Sequence, residues 1–135
     1  QTIHTGLTYA CVEGPRLGTQ AESHFMRAAN CHVVGMTNVP EVFLAREAQM
    51  AYATIGMVTD YDCWLEDPSQ HVVASTIFEL YGKTLGRAKQ LLDTLLRQPL
   101  PTPETDIRQS LSHALLCDPS TLSLDQRAWL KILQR

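Results

Sequence analysis

Short apolar runs alternate with amphipathic stretches along the first sixty residues of the chain. Residues 7–12 and 33–36 are apolar and rich in β-branched side chains, which predicts two short strands. Residues 52–59 are mostly apolar between polar flanks, which predicts a third strand covered on both faces. Helices are predicted between the strands, at about residues 19–29 and 40–51. This βαβ order indicates an α/β fold.

Capping signals support both of these helices. Thr19 is followed three residues later by Glu22, which is the capping-box pattern. Pro40 stands where a first helical turn tolerates proline, and Glu41 is placed near the positive end of the helix. The two helices are therefore predicted to begin at these positions.

The rest of the chain is predicted to be helical. Apolar residues recur every three or four positions over residues 70–96, which predicts one long amphipathic helix. Three prolines between residues 99 and 103 form a stiff connector, and shorter helices are predicted at 104–115 and 123–133. We therefore expect one domain, with an α/β portion at residues 1–98 and a helical tail at 99–135.

Composition and charge narrow the class of protein. The 135 residues are 44% hydrophobic and 19% charged, as in ordinary globular domains. With a net charge of −3 and scattered basic residues, nucleic acid and anionic membranes are not expected partners. No apolar run is long enough to span a bilayer. Four widely spaced cysteines without zinc-type spacing favour reduced thiols in a soluble cytoplasmic protein.

Polar residues cluster where the second and third predicted strands end, at residues 35–38 and 59–64. Ligands of open α/β sheets bind at the carboxyl ends of strands. In an extended segment Asp60 and Asp62 would point the same way, and two neighbouring carboxylates can share a proton. The two aspartates also fit a solvated loop. Thr37 also fits a residue at the start of a helix, and Met36 also fits a position in the core. Spacing alone leaves the function undecided.

Seven sequence blocks carry a resemblance to a known family. They occupy residues 13–16, 20–23, 35–37, 39–41, 44–48, 52–54 and 59–64. Their order and spacing resemble those of the methylthioadenosine phosphorylase branch of the nucleoside phosphorylase family. The resemblance extends over roughly residues 5–95, with no gap in the register of the blocks. The block Thr-Asp-Tyr-Asp-Cys-Trp at 59–64 is the most specific, because the branch acting on 6-oxopurines usually has Asn where Asp60 stands.

The resemblance implies a fold and a reaction. The fold would be the C-terminal part of a nucleoside phosphorylase, with a mixed central sheet flanked by helices and a helical tail. The reaction would be phosphorolysis of 5′-methylthioadenosine to adenine and 5-methylthioribose 1-phosphate, with phosphate as co-substrate and neither cofactor nor metal. Another purine nucleoside, such as methylthioinosine, adenosine or inosine, is an alternative substrate. A noncatalytic fragment or structural subunit is the alternative from a different class.

The resemblance also implies residue roles. Asp60 would protonate or hydrogen-bond purine N7, Asp62 would accept a hydrogen bond from the 6-amino group, and Thr59 would support the pair. Met36 would lie against the ribose, and Thr37 would bind phosphate.

Four further positions would line the substrate site. Leu17 stands where the family commonly has a Phe on the purine face, so an aromatic stack is lost. Gly35 stands in place of a common Asn. Val73 and Ile77 would line the pocket for the 5′ substituent, although core packing explains them equally well.

Several parts of the family's site have no counterpart in this sequence, namely the glycine-rich phosphate loop, an Arg-His pair and a further Ser or Thr. The first residue is Gln1 rather than Met. We therefore expect this chain to be inactive alone, and either its N-terminal half is a separate chain of the same protein or the sequence is a fragment. The resemblance also implies a homo-oligomer, because members of the family are trimers or hexamers.

Overall fold

The computed structural model describes residues 3–67 and 74–134, with residues 74 and 75 described by their backbone alone. The elements are β1 (Tyr9–Cys11), α1 (Gln20–Ala28), β2 (Val33–Gly35), α2 (Glu41–Glu47), α3 (Ala74–Leu96), α4 (Thr105–Arg108) and α5 (Leu124–Leu133). A 3₁₀ turn at Pro119–Thr121 precedes α5. The predicted α/β class with a helical C-terminal part is confirmed.

The described sheet consists of β1 and β2, which pair in parallel. Their register sets Tyr9 opposite Val33 and Cys11 opposite Gly35. Helix α1 makes the crossover between the two strands, as the βαβ order predicts.

The predicted capping box of α1 is present with both of its hydrogen bonds, and the C-terminal end of the helix is capped as well. The Thr19 side chain accepts from the Glu22 backbone N–H, and the Glu22 side chain accepts from the Thr19 backbone N–H. Asn30 adopts φ 58° after the helix, and the Cys31 N–H then reaches the carbonyl of Met26 at 3.0 Å. This is the Schellman arrangement that ends helices with a left-handed residue.

Helix α2 ends four residues earlier than predicted. The cause is again a left-handed residue directly after the helix. Gln49 has φ 57°, and the Met50 N–H bonds the carbonyl of Ala45 at 2.9 Å. The helix therefore closes at Glu47 instead of running on to residue 51.

The third predicted strand is wrong, because the structure assigns no strand to residues 51–60. Apolar character favours a strand, but a strand forms only where a neighbour supplies hydrogen-bond partners. Ile55 and Val58 are 42% and 65% exposed, so this segment is also not covered on both faces.

The predicted helix at 104–115 is also largely wrong, since α4 ends at Arg108. The Leu111 N–H donates to Gln49 Oε1 at 3.2 Å, so it does not continue the helical ladder. Gln49 Nε2 in turn donates to the carbonyl of Leu133 at the end of α5. The Ser110 N–H already bonds the carbonyl of Ile107, and the Gln49 side chain then connects the turns that follow α4 to the end of α5.

The long helix is confirmed over Ala74–Leu96, while its predicted start at residue 70 lies outside the described residues. Within the described ranges, no helix combines the length and apolar character needed to cross a bilayer.

The chain divides into two compact units, each built from two stretches of the sequence. One comprises Gln1–Asn38 with Ile55–Pro99, and the other comprises Val39–Thr54 with Leu100–Arg135. The first unit contains the sheet, α1, α3 and every candidate site residue that the structure describes.

Candidate functional site

The carboxyl ends of β1 and β2 lie side by side, because the Val12 N–H donates to the Gly35 carbonyl at 2.9 Å. The segment 13–18 follows β1, and Met36 and Thr37 follow β2. Both segments therefore leave from the same edge of the sheet, where ligands of parallel sheets bind.

Gly35 makes room for an aromatic side chain at this edge. A Cβ at Gly35 would lie 1.9 Å from the hydroxyl oxygen of Tyr9 and 2.7 Å from its ring carbon Cζ. Tyr9 and Cys11 share one face of β1, and Cys11 is the register partner of Gly35. Gly35 thus accommodates Tyr9, a residue that the sequence analysis did not single out, and its place in the substrate site stays a prediction.

Met36 lies against the first loop of the site. A Cβ on Gly14 would be 2.7 Å from Met36 Sδ, so this glycine permits the close approach. Met36 itself is 41% exposed. The structure therefore brings the predicted ribose-contacting residue onto the segment 13–18.

The segment 13–18 is attached to α1 by a two-pronged ion pair. Arg16 Nη1 and Nη2 donate to Glu22 Oε2 and Oε1 at 2.9 and 2.6 Å. Glu22 also accepts from the Thr19 N–H at 2.8 Å. These bonds lower the pKa of Glu22 to about 2, with the Arg16 side chain as the largest cause and Thr19 next. The guanidinium of Arg16 therefore makes its hydrogen bonds within the protein.

The predicted carboxylates Asp60 and Asp62 are joined in one turn. The Asp62 N–H donates to Asp60 Oδ1 at 3.0 Å, and Thr59 Oγ1 lies 3.5 Å from Asp60 Oδ2. Asp62 has φ 59°, so the segment is not extended there, and the geometric argument that both side chains point the same way is wrong. The turn instead bonds the two residues through backbone and carboxylate.

The two residues after this turn connect it to the segment 13–18 and to α1. Cys63 Sγ lies 3.8 Å from the carbonyl oxygen of Gly18, to which the thiol donates. Burial raises the pKa of this thiol, and the adjacent Asp62 carboxylate acts in the same direction. The guanidinium of Arg27 lies 3.6 Å from the centre of the Trp64 ring. Neither Arg27 nor Trp64 was predicted to have a role, although Trp64 belongs to the most specific sequence block.

The remaining predicted residues are less closely tied to this cluster. Leu17 is 89% exposed beside Gly18, and Thr37 is exposed after β2. Ile77 is half-buried on α3, whereas Val73 lies outside the described residues. Among residues 3–67 and 74–134, no group of three or more His, Cys, Asp or Glu side chains is arranged to hold a metal ion.

Relatives of known name share this sequence over most of its length. An S-methyl-5′-thioadenosine phosphorylase from Cereibacter sphaeroides is 57% identical over 124 residues, covering 88% of this chain and 42% of that protein. The protein of the same name from Rhodospirillum rubrum is 42% identical over 118 residues, covering 84% and 40%. The chain thus spans about two fifths of the length of these curated relatives.

Solved structures agree with this relationship. A methylthioadenosine phosphorylase from an antarctic soil metagenomic library is 34% identical, with a TM-score of 0.61, and the match covers 94% of this chain and 44% of that one. A methylthioadenosine phosphorylase from Schistosoma mansoni in complex with adenine is 39% identical, with a TM-score of 0.56 over 62% and 29% of the two chains.

The sequence profile that matches this chain is that of the Phosphorylase superfamily, over residues 1–98. The match takes in β1, α1, β2, α2, α3 and the turn at Asp60 and Asp62. The chain belongs to the Phosphorylase superfamily.

Proposed function

We propose that this chain provides the purine- and ribose-binding part of an enzyme that phosphorolyses 5′-methylthioadenosine to adenine and 5-methylthioribose 1-phosphate. The observation that carries the proposal is the Asp60–Asp62 turn, directly followed by Cys63, whose thiol donates to the carbonyl of Gly18 in the segment 13–18. High identity to relatives named for this activity supports the choice of reaction.

The chemistry of the base suits two carboxylates with different tasks. A purine leaves the sugar as a poor anion, so a proton delivered to N7 lowers the barrier. We assign this proton to Asp60, whose Oδ2 has only a long 3.5 Å contact with Thr59 Oγ1 among the described residues. We assign to Asp62 the hydrogen bond from the 6-amino group. A 6-oxo group there would leave a carboxylate unpaired, at a cost of about 1–3 kcal/mol.

The other side chains extend the site from the base to the sugar and the phosphate. Met36 would pack against the ribose, Thr37 would bind the phosphate, and Ile77 would line the pocket of the 5′ substituent together with Val73. Leu17 would form an apolar wall on the purine face. The reaction needs phosphate as co-substrate, and we propose no cofactor or metal.

We propose that the site is completed outside this chain. The curated relatives are more than twice as long as the part matched here, and a phosphate-binding loop is expected in the part that this chain does not cover. We use the name complete protein for this chain together with that remaining part of the fold. We further propose that the complete protein is a cytoplasmic trimer or hexamer.

A competition assay tests the reaction. Methylthioadenosine, adenosine, methylthioinosine and inosine are mixed with phosphate, and the loss of each nucleoside is followed separately together with the released bases. The complete protein should release adenine from methylthioadenosine fastest, and the chain alone should release none. Intact-mass measurement of the native sample identifies any second polypeptide, and light scattering gives the number of protomers. A complete protein that releases no base from any of the four nucleosides would show that the reaction is wrongly assigned.

Adenosine is the second candidate substrate, because a 39% identical protein of solved structure from Schistosoma mansoni is named adenosine/methylthioadenosine phosphorylase. The exposed Leu17 does not separate the two nucleosides, since they carry the same adenine base and differ only in the 5′ substituent. Equal kcat/KM for adenosine and methylthioadenosine would favour this second reading.

A further inference from the structure

Helix α1 contacts the segment that follows Asp62 near both of its ends. At the N-terminal end, Cys63 Sγ donates to the carbonyl of Gly18, the residue directly before the N-cap. At the C-terminal end, the Trp64 ring lies beneath the guanidinium of Arg27, with 3.6 Å between its centre and Cζ. Two successive residues are thus attached to one helix, more than one helical turn apart.

Helix α1 is well suited to hold another segment in place. Its N-terminus is closed by the capping box of Thr19, and its C-terminus by the left-handed Asn30. Ser23, within the helix, is 2% exposed and is the only fully buried residue in the described part of the chain. Its hydroxyl is close enough to Cys63 to lower the pKa of the thiol, although it makes no hydrogen bond of normal geometry.

The turn itself requires such support. Asp62 has φ 59°, a region that non-glycine residues rarely adopt, and surrounding contacts must hold it there. Within the turn, the Asp62 N–H has the Asp60 carboxylate as its partner. The contacts of Cys63 and Trp64 fix the chain immediately downstream, which leaves the turn little freedom to relax.

We propose that Arg27 is a positioning residue, which holds the Asp60–Asp62 turn in its binding orientation by stacking on Trp64. A planar guanidinium covers the face of an indole ring and is attracted to it, an arrangement that a neutral side chain of similar length cannot reproduce. The predicted consequence for purine recognition rests on the proposed function, whereas the order of the turn does not.

The order of the turn is measured by amide hydrogen exchange of the complete protein with labelling times from milliseconds to minutes. Arg27→Met keeps an unbranched stem comparable to the aliphatic part of arginine and removes the planar cation. Arg87→Met, on α3, is the matched control, because Arg87 is exposed and the described residues show no ion pair or ring contact for it. We expect faster exchange at residues 60–64 in Arg27→Met and unchanged exchange there in Arg87→Met. Identical exchange in the two variants would overturn the proposal.

The effect on binding is measured by steady-state kinetics of the same variants. Loss of the stacking should lower kcat/KM for the nucleoside about fivefold, with KM for phosphate unchanged. Trp64→Leu should have a similar effect, and the double variant should lose little more than either single variant, since both remove one contact. Additive losses, or equal losses for nucleoside and phosphate, would also overturn the proposal.

The two readouts separate this inference from the proposed function. If the complete protein converts no purine nucleoside but Arg27→Met still speeds exchange at residues 60–64, the reaction is wrongly assigned and the positioning contact stands. If the reaction is present but Arg27→Met matches Arg87→Met in both readouts, Arg27 does not position the turn.

Discussion

Two kinds of carboxylate occur within a few residues of the candidate site. Glu22 accepts two bonds from Arg16 and two from Thr19, so its oxygens are committed to the protein. Asp60 is exposed, and its Oδ1 accepts from the Asp62 N–H while Oδ2 has only a long contact with Thr59. Of the two, Asp60 therefore has an oxygen available for a ligand, whereas Glu22 holds the segment 13–18 to α1.

Asp60→Asn should change which purines are accepted. An amide cannot deliver the proton proposed for N7, so turnover of methylthioadenosine should fall about 100-fold, as for the loss of a general acid. Acceptance of 6-oxopurine nucleosides should fall less, because the related branch that acts on them usually has Asn here. The measurement is the ratio of kcat/KM for adenine and hypoxanthine nucleosides, with Asp125→Asn on α5 as the control. An unchanged ratio would contradict the assignment of Asp60.

The pKa of Glu22 provides a test of the ion pair that holds the segment 13–18. Because its pKa is lowered from 4.5 to about 2, the carboxylate stabilises the fold above pH 4.5, and this contribution is lost as the pH falls towards 2. Arg16→Gln should raise the pKa of Glu22 towards 4.5 but not fully, since the bonds from Thr19 remain. Carboxyl ¹³C NMR titration of the complete protein would show the change.

Asp118 is the internal reference in this titration. Its pKa is lowered by the backbone N–H of Ser120 in the other compact unit, so Arg16→Gln should leave it unchanged. A Glu22 that titrates near 4.5 in the unsubstituted protein would show that the ion pair does not form in solution.

At the scale of elements, the sequence predicted what local signals determine and missed what distant residues determine. The capping box at Thr19 and the long apolar periodicity of α3 are local signals, and α1 and the described part of α3 appear where predicted. Helix α5 also appears where predicted, with a capping box at Ser123 that the structure shows. Helix α4 ends where the Ser110 N–H bonds the carbonyl of Ile107, and Gln49, 62 positions earlier, takes the next N–H, that of Leu111. The sequence near residue 111 contains no pattern that predicts this bond.

The same distinction applies to the site. The sequence blocks identified Asp60, Asp62 and Met36, and the structure bonds the first two in one turn and sets Met36 against Gly14. The contact between Arg27 and Trp64 was missed, because nothing in either neighbourhood predicts it. The contact between Tyr9 and Gly35 could have been predicted from the sequence. When β1 pairs with β2, an aromatic residue two positions before the partner of a glycine lies on the same face of the sheet as that glycine.

Gly35→Ala tests the fit between the two strands. The φ of Gly35 is not positive, so alanine is allowed by the backbone, and its cost arises from the Cβ placed 1.9 Å from the Tyr9 hydroxyl. Forcing this ring aside should destabilise the complete protein by about 1–3 kcal/mol, and Tyr9→Ala in the same background should recover part of that loss. The measurement is the urea midpoint of unfolding.

Gly86→Ala on α3 is the matched control for this substitution. No atom lies within 4 Å of the Cβ it would add, and alanine favours a helix over glycine by about 1 kcal/mol. Gly86→Ala should therefore stabilise the protein. A Gly35→Ala variant that is equally stabilised would mean that Tyr9 does not occupy this space.

At the scale of the whole molecule, the chain exposes more surface than a compact domain of the same mass. Its accessible surface is 11289 Å² for 15.1 kDa. One compact domain of this mass would expose about 7,000 Å², and two separately folded units about 8,500 Å². No apolar side chain in the described ranges is fully buried; the large exposed ones include Leu17, Phe25, Phe43, Phe78 and Trp129. Apolar surface of this extent is characteristic of a protein that packs against further polypeptide.

The unpaired segment at residues 55–59 is where such packing should be most visible. It has the apolar composition of a buried strand, yet the structure assigns no strand to it and leaves Val58 65% exposed. If the remaining part of the fold supplies a neighbouring strand, the amides of this segment gain hydrogen-bond partners and their exchange with solvent slows. We therefore expect residues 55–59 to exchange rapidly in the chain alone and at least 100-fold more slowly in the complete protein. The amides of α1, whose partners lie within the helix, should slow far less and serve as the reference. Equal exchange at residues 55–59 in both samples would show that this segment remains outside the sheet, and that the exposed apolar surface is covered by some other arrangement.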